Sequence, residues 1–132
     1  MLGDLIYELR GKITSQRVLD AEGAIETTFS GSAKYRGTDG TEIGTYSSTY
    51  RPEGVLYGEG HGVITTNDGE IATWTGSGIG RFTGPGKIRF HGPLLYRTLS
   101  TGKLAFLNNL VGVYETEIDE NQNFVYKVWE WK

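Results

Sequence analysis

Glycine occupies every second position in two neighbouring stretches of the chain, Gly58–Gly62 and Gly76–Gly80. Between them, Asn67-Asp68-Gly69 supplies the positive-φ residue that a short hairpin loop needs. Alternate residues of a strand point to opposite faces, so this hairpin brings both glycine sets to one shared face. Glycine weakens a strand by roughly 0.5–1 kcal/mol relative to alanine. A face with several glycines therefore indicates that something bulky approaches the backbone there.

The composition excludes several classes of function. The length of 132 residues fits a single domain spanning 1–132. The absence of cysteine excludes disulfides and thiolate chemistry, and two histidines are too few for a typical zinc or iron site. We therefore expect no metal and no cofactor. A net charge of −3 gives no electrostatic footprint for nucleic acid. Neither a signal peptide nor a membrane-spanning run is visible, so we expect a cytoplasmic protein without a membrane partner.

Turn sequences recur at nearly even spacing along the chain. They lie at 20–23, 37–40, 51–54, 67–69, 83–86, 100–102 and 119–123, and most of the segments between them have the composition of strands. Such a meander leaves two exposed edges unless its first strand pairs with its last. We therefore predict an all-β fold: a single eight-stranded antiparallel up-and-down β-barrel, closed by pairing of Ile13–Leu19 with Phe124–Trp131. A two-sheet sandwich usually needs a long crossover connection, and none is available.

Several motifs carry a resemblance to a known family. They are Tyr57-Gly-Glu-Gly-His-Gly62, Asp68-Gly69-Glu70, Trp74-Thr-Gly-Ser-Gly-Ile-Gly80 and Lys127-Val-Trp-Glu-Trp131. With them the chain resembles small uncharacterised microbial proteins whose barrel is similar to that of allene oxide cyclase. Similar barrels include enzymes that cyclise a lipid epoxide without a cofactor, and dirigent proteins that guide radical coupling. The resemblance implies the barrel fold. No catalytic motif of either group matches residue by residue, so neither activity carries over.

The glycine-rich hairpin leaves two orientations open. Its glycine face also carries Trp74, and its reverse face carries Glu59, His61, Ser77 and Arg81. With the glycines inward, rings from across the barrel can enter the space; with them outward, the polar cluster lines the lumen and a subunit must cover the bare patch. We expect the glycines inward, because large unpaired charges are rarely buried. The polar cluster is more typical of cross-strand pairs than of a hydrolase triad, since no nucleophile elbow is visible.

The candidate ligand-binding residues are mostly aromatic. Tyrosine combines apolar area with one hydroxyl, which suits an apolar pocket that must orient a ligand, although barrel interiors also need rings simply to fill them. The segment Leu104–Tyr114 is predicted as the seventh strand, in which one of two neighbouring asparagines must point inward and find a partner. The candidates are Tyr35, Tyr46, Tyr50, Trp74, Asn108 and Asn109.

Three functions fit this pattern. The favoured one is a barrel that binds a small apolar or amphipathic ligand in its lumen. The second is a cofactor-free cyclase or isomerase acting on a lipid-like or aromatic substrate, with Asn108, pocket tyrosines and an acid such as Glu59 or Glu115. The third is a structural module that forms a homo-oligomer through the glycine face or the terminal tryptophans. The fold cannot choose among them, because function resides in the site.

Overall fold

Eight antiparallel strands, paired in chain order, form a closed barrel. The computed structural model describes all residues from 1 to 132. Its helical pieces are two short 3-10 turns, and no helix is long and apolar enough to cross a membrane. The predicted all-β, up-and-down architecture is confirmed. The strands are β1 (Leu2–Val18), β2 (Ile25–Tyr35), β3 (Thr38–Arg51), β4 (Val55–Thr66), β5 (Ile71–Gly84), β6 (Lys87–Thr98), β7 (Val111–Ile118) and β8 (Asn123–Trp131).

Strand β1 closes the barrel with its first half rather than its second. Residues 2–12 pair with residues 123–131 of β8, whereas residues 10–18 pair with β2, so that the two pairings overlap only at 10–12. The prediction that Ile13–Leu19 pairs with the last strand is therefore wrong. Register shifts between Leu2 and Leu5 and between Leu5 and Tyr7 interrupt the strand's alternation. Such irregularities break the alternation of inward and outward residues by which a strand is recognised in a sequence.

The glycine-rich hairpin turns its glycines into the barrel, as expected. Gly58 pairs with Gly78, and Gly69 in the turn adopts a φ of 86°. A Cβ built on Gly80 would lie 2.6 Å from the Phe90 ring. Side chains from neighbouring strands thus lie directly over the glycine backbone, which is the close approach that the sequence indicated.

One end of the barrel is closed by residues 99–110, which connect β6 to β7. Leu104 and Leu107, beside and within the 3-10 turn Ala105–Leu107, are fully buried. Glu70 holds this loop in place, because its carboxylate accepts hydrogen bonds from the backbone N–H groups of Lys103 and Leu104 at 3.0 and 3.1 Å. We call this end of the barrel the closed end.

The seventh strand begins later than predicted, at Val111, so Asn108 and Asn109 lie in the closing loop. Both are exposed. The Oδ1 atom of Asn108 accepts a hydrogen bond from the backbone N–H of Thr98 at 3.3 Å, and Asn109 adopts a φ of 61°. The expectation that one of them points into the barrel is wrong. Leucines recur here at every third position, 104, 107 and 110, and are buried through a 3-10 turn rather than by strand alternation.

The opposite end, which we call the open end, is surrounded by the four short turns β1–β2, β3–β4, β5–β6 and β7–β8. Two aromatic side chains stand at its rim, Tyr50 at 58% and Phe82 at 52% exposure. No connection of the length of the closing loop crosses this end. The barrel is therefore closed at one end and has one accessible mouth, at the open end.

We predict that Gly60→Ala destabilises the fold by about 1–3 kcal/mol, the usual cost of overpacking. A Cβ at Gly60 would lie 2.8 Å from the backbone Cα of Tyr46, which cannot move aside cheaply. Gly58→Ala is the matched control, since its nearest neighbour would be Phe90 at 3.4 Å, an ordinary contact. Urea unfolding of both variants measures the difference. Equal free energies of unfolding would contradict the proposed steric role.

Candidate functional site

The barrel lumen contains a cavity of about 60 Å³ against the glycine hairpin. Gly58, Gly60 and Gly76 form one wall, and Glu59 and Ser77 border it through the strand backbone, because their side chains alternate to the outer face. Rings supply most of the remaining walls: Phe29, Tyr46, Trp74, Phe90, Tyr114, Phe124 and Tyr126. The result is an apolar pocket with a few hydroxyl groups.

A second cavity, of about 120 Å³, lies at the open end. Gln16, Gln122 and the rim residue Tyr50 are among its lining side chains. The two cavities share four residues as common walls: Ile13, Tyr46, Phe90 and Ile118. The two cavities therefore adjoin inside the barrel, one at the open end and the other reaching Trp74 and Tyr126.

A fully buried carboxylate, Glu42, lies deeper in the barrel on β3. The Tyr35 hydroxyl donates to its Oε1 atom and the Trp74 indole N–H donates to its Oε2 atom, both at 3.0 Å. Beside them, the hydroxyls of Tyr7 and Tyr96 are hydrogen-bonded at 2.5 Å. Trp74 belongs to both environments, since it lines the cavity and also donates to Glu42.

Burial raises the pKa of Glu42 from 4.5 to about 7, although the hydrogen bonds from Tyr35 and Trp74 oppose the shift. The protonated and ionised forms of this side chain are therefore both populated near neutral pH. Burial also raises the pKa values of Tyr7, Tyr96 and Tyr126 well above 10, which keeps these phenols protonated. The deep part of the lumen is a cluster of neutral hydroxyls around one titratable acid.

Tyr126 is the exception to the rule that buried polar groups are paired. Its side chain is 5% exposed, and its hydroxyl is the buried side-chain polar atom that has no hydrogen-bond partner. The residue lines the inner cavity, where its ring stacks on Tyr114 with centroids 5.2 Å apart. An unpaired buried hydroxyl costs roughly 1–3 kcal/mol, so this atom calls for a partner from outside the chain.

The structure gathers only some of the candidate residues into the lumen. Tyr35, Tyr46 and Trp74 lie inside it, and Tyr50 lies at its mouth. Asn108 and Asn109 lie in the closing loop, away from both cavities.

The polar cluster lies on the outer face of β4 and β5, where Glu59 pairs with Ser77, His61 with Thr75 and Arg81 with Val55. Glu115, the other candidate acid, forms an ion pair with Arg89 at 3.0 Å on the outside of the barrel. These side chains therefore face away from the lumen.

Glu42, Tyr7, Tyr96 and Tyr126 were not singled out from the sequence. For Glu42 a signal was present, because it lies at even spacing from Gly44 and Tyr46 and so shares their face of β3. An acidic residue that shares the inward face of a strand with small and aromatic residues indicates a buried acid. The described chain contains no group of three His, Asp or Glu side chains placed to hold a metal ion.

Comparison with known proteins relates the chain by fold alone. No protein-family model and no curated protein matches the sequence. Among solved structures, a β-barrel-like protein from Acinetobacter baumannii superposes with a TM-score of 0.78 at 14% identity, covering 100% of this chain and 96% of that one. A conserved protein of unknown function from Rhodopseudomonas palustris gives 0.74 at 16% identity, with 98% and 97% covered. An enzyme from Penicillium herquei gives 0.62 at 21% identity, with 96% and 92% covered.

We predict that Glu42 makes the protein less stable as the pH rises from about 4.5 to about 7. Its folded-state pKa lies above the ordinary value of 4.5, so the folded chain binds the extra proton in this window and loses stability until both states are ionised. The loss amounts to roughly 3 kcal/mol at 1.36 kcal/mol per pKa unit. Glu42→Gln removes this part of the pH dependence, as measured by urea unfolding between pH 4.5 and 8.

Glu115→Gln is the control, because it removes an acid on the outer face. Its pH profile should run parallel to that of the wild type. A Glu42→Gln profile that also runs parallel to the wild type would contradict the assignment of the titration to Glu42.

Proposed function

We propose that this barrel binds a small apolar or amphipathic molecule in its lumen. The observation that carries the proposal is the lumen itself, with an apolar inner cavity, a more polar cavity at the open end, and among the inner walls the residue Tyr126, whose buried hydroxyl has no partner. Ligand sites are typically concave and apolar, with a few polar groups that fix orientation. An unpaired hydroxyl is such a group.

The glycine wall supports this function because it keeps part of the lumen free of side chains. Gly58, Gly60 and Gly76 line the inner cavity without side chains, and a Cβ at Gly58 would face the Phe90 and Tyr46 rings that also line it. The inner cavity, about 60 Å³, is smaller than an engineered apolar cavity of about 150 Å³ that takes up benzene, so a ring-sized ligand must also use the adjoining cavity of about 120 Å³. The expected ligand therefore has one or two rings, or a similar bulk. We further propose kinship with allene oxide cyclase-like barrels, on the basis of the glycine and turn motifs.

A cofactor-free cyclase or isomerase is a second candidate, and Glu42 is the observation that favours it. An acid with a pKa of about 7 is suited to proton transfer near neutral pH. The Penicillium herquei neighbour is an enzyme, so a similar barrel supports catalysis in that protein. Glu42 lines neither cavity and both of its carboxylate oxygens accept hydrogen bonds from the protein, which is why binding is the preferred function.

An oligomerising role is favoured by a different surface. The outer faces of β6, β7, β8 and β1 carry exposed apolar side chains in paired positions, Leu95 with Val111 and Leu2 with Trp131. The glycine face is not available for such a contact, since it points inward. Light scattering with size-exclusion chromatography should give a homo-oligomer for the wild type and a smaller species for Leu95→Lys. A wild-type monomer at high concentration would exclude this role.

We predict that 1-naphthylamine, a neutral two-ring fluorophore within the expected ligand size, gains fluorescence on binding to the wild-type protein. Ile118→Phe should abolish the gain, because Ile118 is a wall shared by both cavities and a ring there obstructs the lumen. Glu117→Phe is the matched control, since this neighbouring residue of β7 is exposed on the outer face. Thermal unfolding checks that both variants fold.

An absence of dye binding to the wild type would contradict the proposed function. Equal binding by the Ile118→Phe and wild-type proteins would place the dye outside the lumen and would also contradict it.

A further inference from the structure

The lumen contains no positive charge. No lysine, arginine or histidine is among the residues that line the two cavities. The deep cluster likewise consists of tyrosines, one indole and one acid around Glu42. Every group that faces the interior is apolar, hydroxylic, amide-bearing or acidic.

This charge pattern discriminates against anionic ligands. A carboxylate carried into the inner cavity would leave water without gaining a cationic partner, and transfer of an unpaired charge into an apolar site is strongly unfavourable. The acid Glu42 is also close by, since it is hydrogen-bonded to the cavity residue Trp74. Like charges in one site repel each other.

The hydroxyl of Tyr126 determines which polar group suits the ligand. Burial holds the pKa of Tyr126 well above 10, so the group retains its proton and is available as a hydrogen-bond donor. No acceptor on the chain takes this proton. An uncharged oxygen on the ligand, such as that of a ketone, meets this requirement without adding a charge.

The shape of the walls favours a ring over a flexible chain. Backbone without side chains forms one wall at Gly58, Gly60 and Gly76, and aromatic rings form most of the rest. Aromatic pairs gain about 0.5–1.5 kcal/mol beyond area burial when they stack offset or meet edge to face. A flat ring also loses less conformational freedom on binding than an acyl chain does.

We propose that the natural occupant of the lumen is an uncharged aromatic molecule with an oxygen acceptor that takes the hydrogen bond of Tyr126. The inference rests on the proposed binding function and specifies its ligand class. It excludes fatty acids and other carboxylates as preferred occupants.

Three probes of similar size test the ligand class: acetophenone, ethylbenzene and benzoate. They represent a neutral ring with an acceptor, a ring without one, and a ring with a charged carboxylate. Titrations followed by ¹H–¹⁵N NMR at pH 8 give the dissociation constants, and the indole N–H signal of Trp74 reports occupancy of the inner cavity. We expect acetophenone to bind about three- to tenfold more tightly than ethylbenzene, as one neutral hydrogen bond provides. Benzoate should bind at least tenfold more weakly than acetophenone.

Two variants assign the preference to Tyr126. Tyr126→Phe removes the hydroxyl and should bring the affinities of acetophenone and ethylbenzene together. Tyr57→Phe makes the same chemical change on the outer face, where this hydroxyl donates to Glu59, and should keep the wild-type ratio. Thermal unfolding establishes that both variants fold.

The possible failures are distinguishable. If neither these probes nor the neutral dye bind, the proposed function itself is overturned. If the dye binds but benzoate equals acetophenone, or if Tyr126→Phe keeps the wild-type preference for acetophenone, the ligand class is overturned while the binding function stands.

Discussion

The missing side chains on the inner faces of β4 and β5 are the constraint on which the rest of the barrel depends. An eight-stranded barrel has an interior just wide enough for side chains to fill. Here one wall supplies backbone only, so rings from the other strands cross the interior, and the Phe90 ring lies against the backbone of Gly80. Because Gly58 pairs with Gly78, the two strands lack inward side chains at the same level of the barrel. The strand weakening caused by glycine is thus offset by the packing of large rings.

This packing divides the lumen into two parts with different chemistry. Towards the closed end, Glu42 and its tyrosine and indole donors fill the space and satisfy one another. Towards the open end, the aromatic walls leave the space unfilled, and Tyr126, whose buried hydroxyl has no partner, is one of the inner walls. Trp74 contacts both parts, so a molecule in the cavity would lie next to a residue that also holds Glu42. Ligand binding would use the aromatic walls of the cavities. Acid–base chemistry would require Glu42, which is fully buried and lines neither cavity.

The two ends of the barrel account for its accessibility. The loop of residues 99–110 buries Leu104 and Leu107 at one end, and the carboxylate of Glu70 fixes it through backbone N–H groups. The other end has only short turns, with Tyr50 and Phe82 exposed at the rim. A barrel of this kind is accessible from one side only, and the acid of the deep cluster lies away from bulk water.

The sequence by itself determined the strand number, most of the turn positions and the inward direction of the glycines, because these follow from local signals: turn residues, period-2 patterning and the burial cost of charge. It did not determine which half of β1 closes the barrel, since the interruptions between Leu2 and Tyr7 depend on the partner strand. Nor did it place Asn108 in a loop, because both a strand and a 3-10 turn can bury leucines. The site around Glu42 was decided only by the tertiary structure. Burial, donors from β2 and β5, and the unpaired hydroxyl of Tyr126 arise when distant strands meet across the lumen.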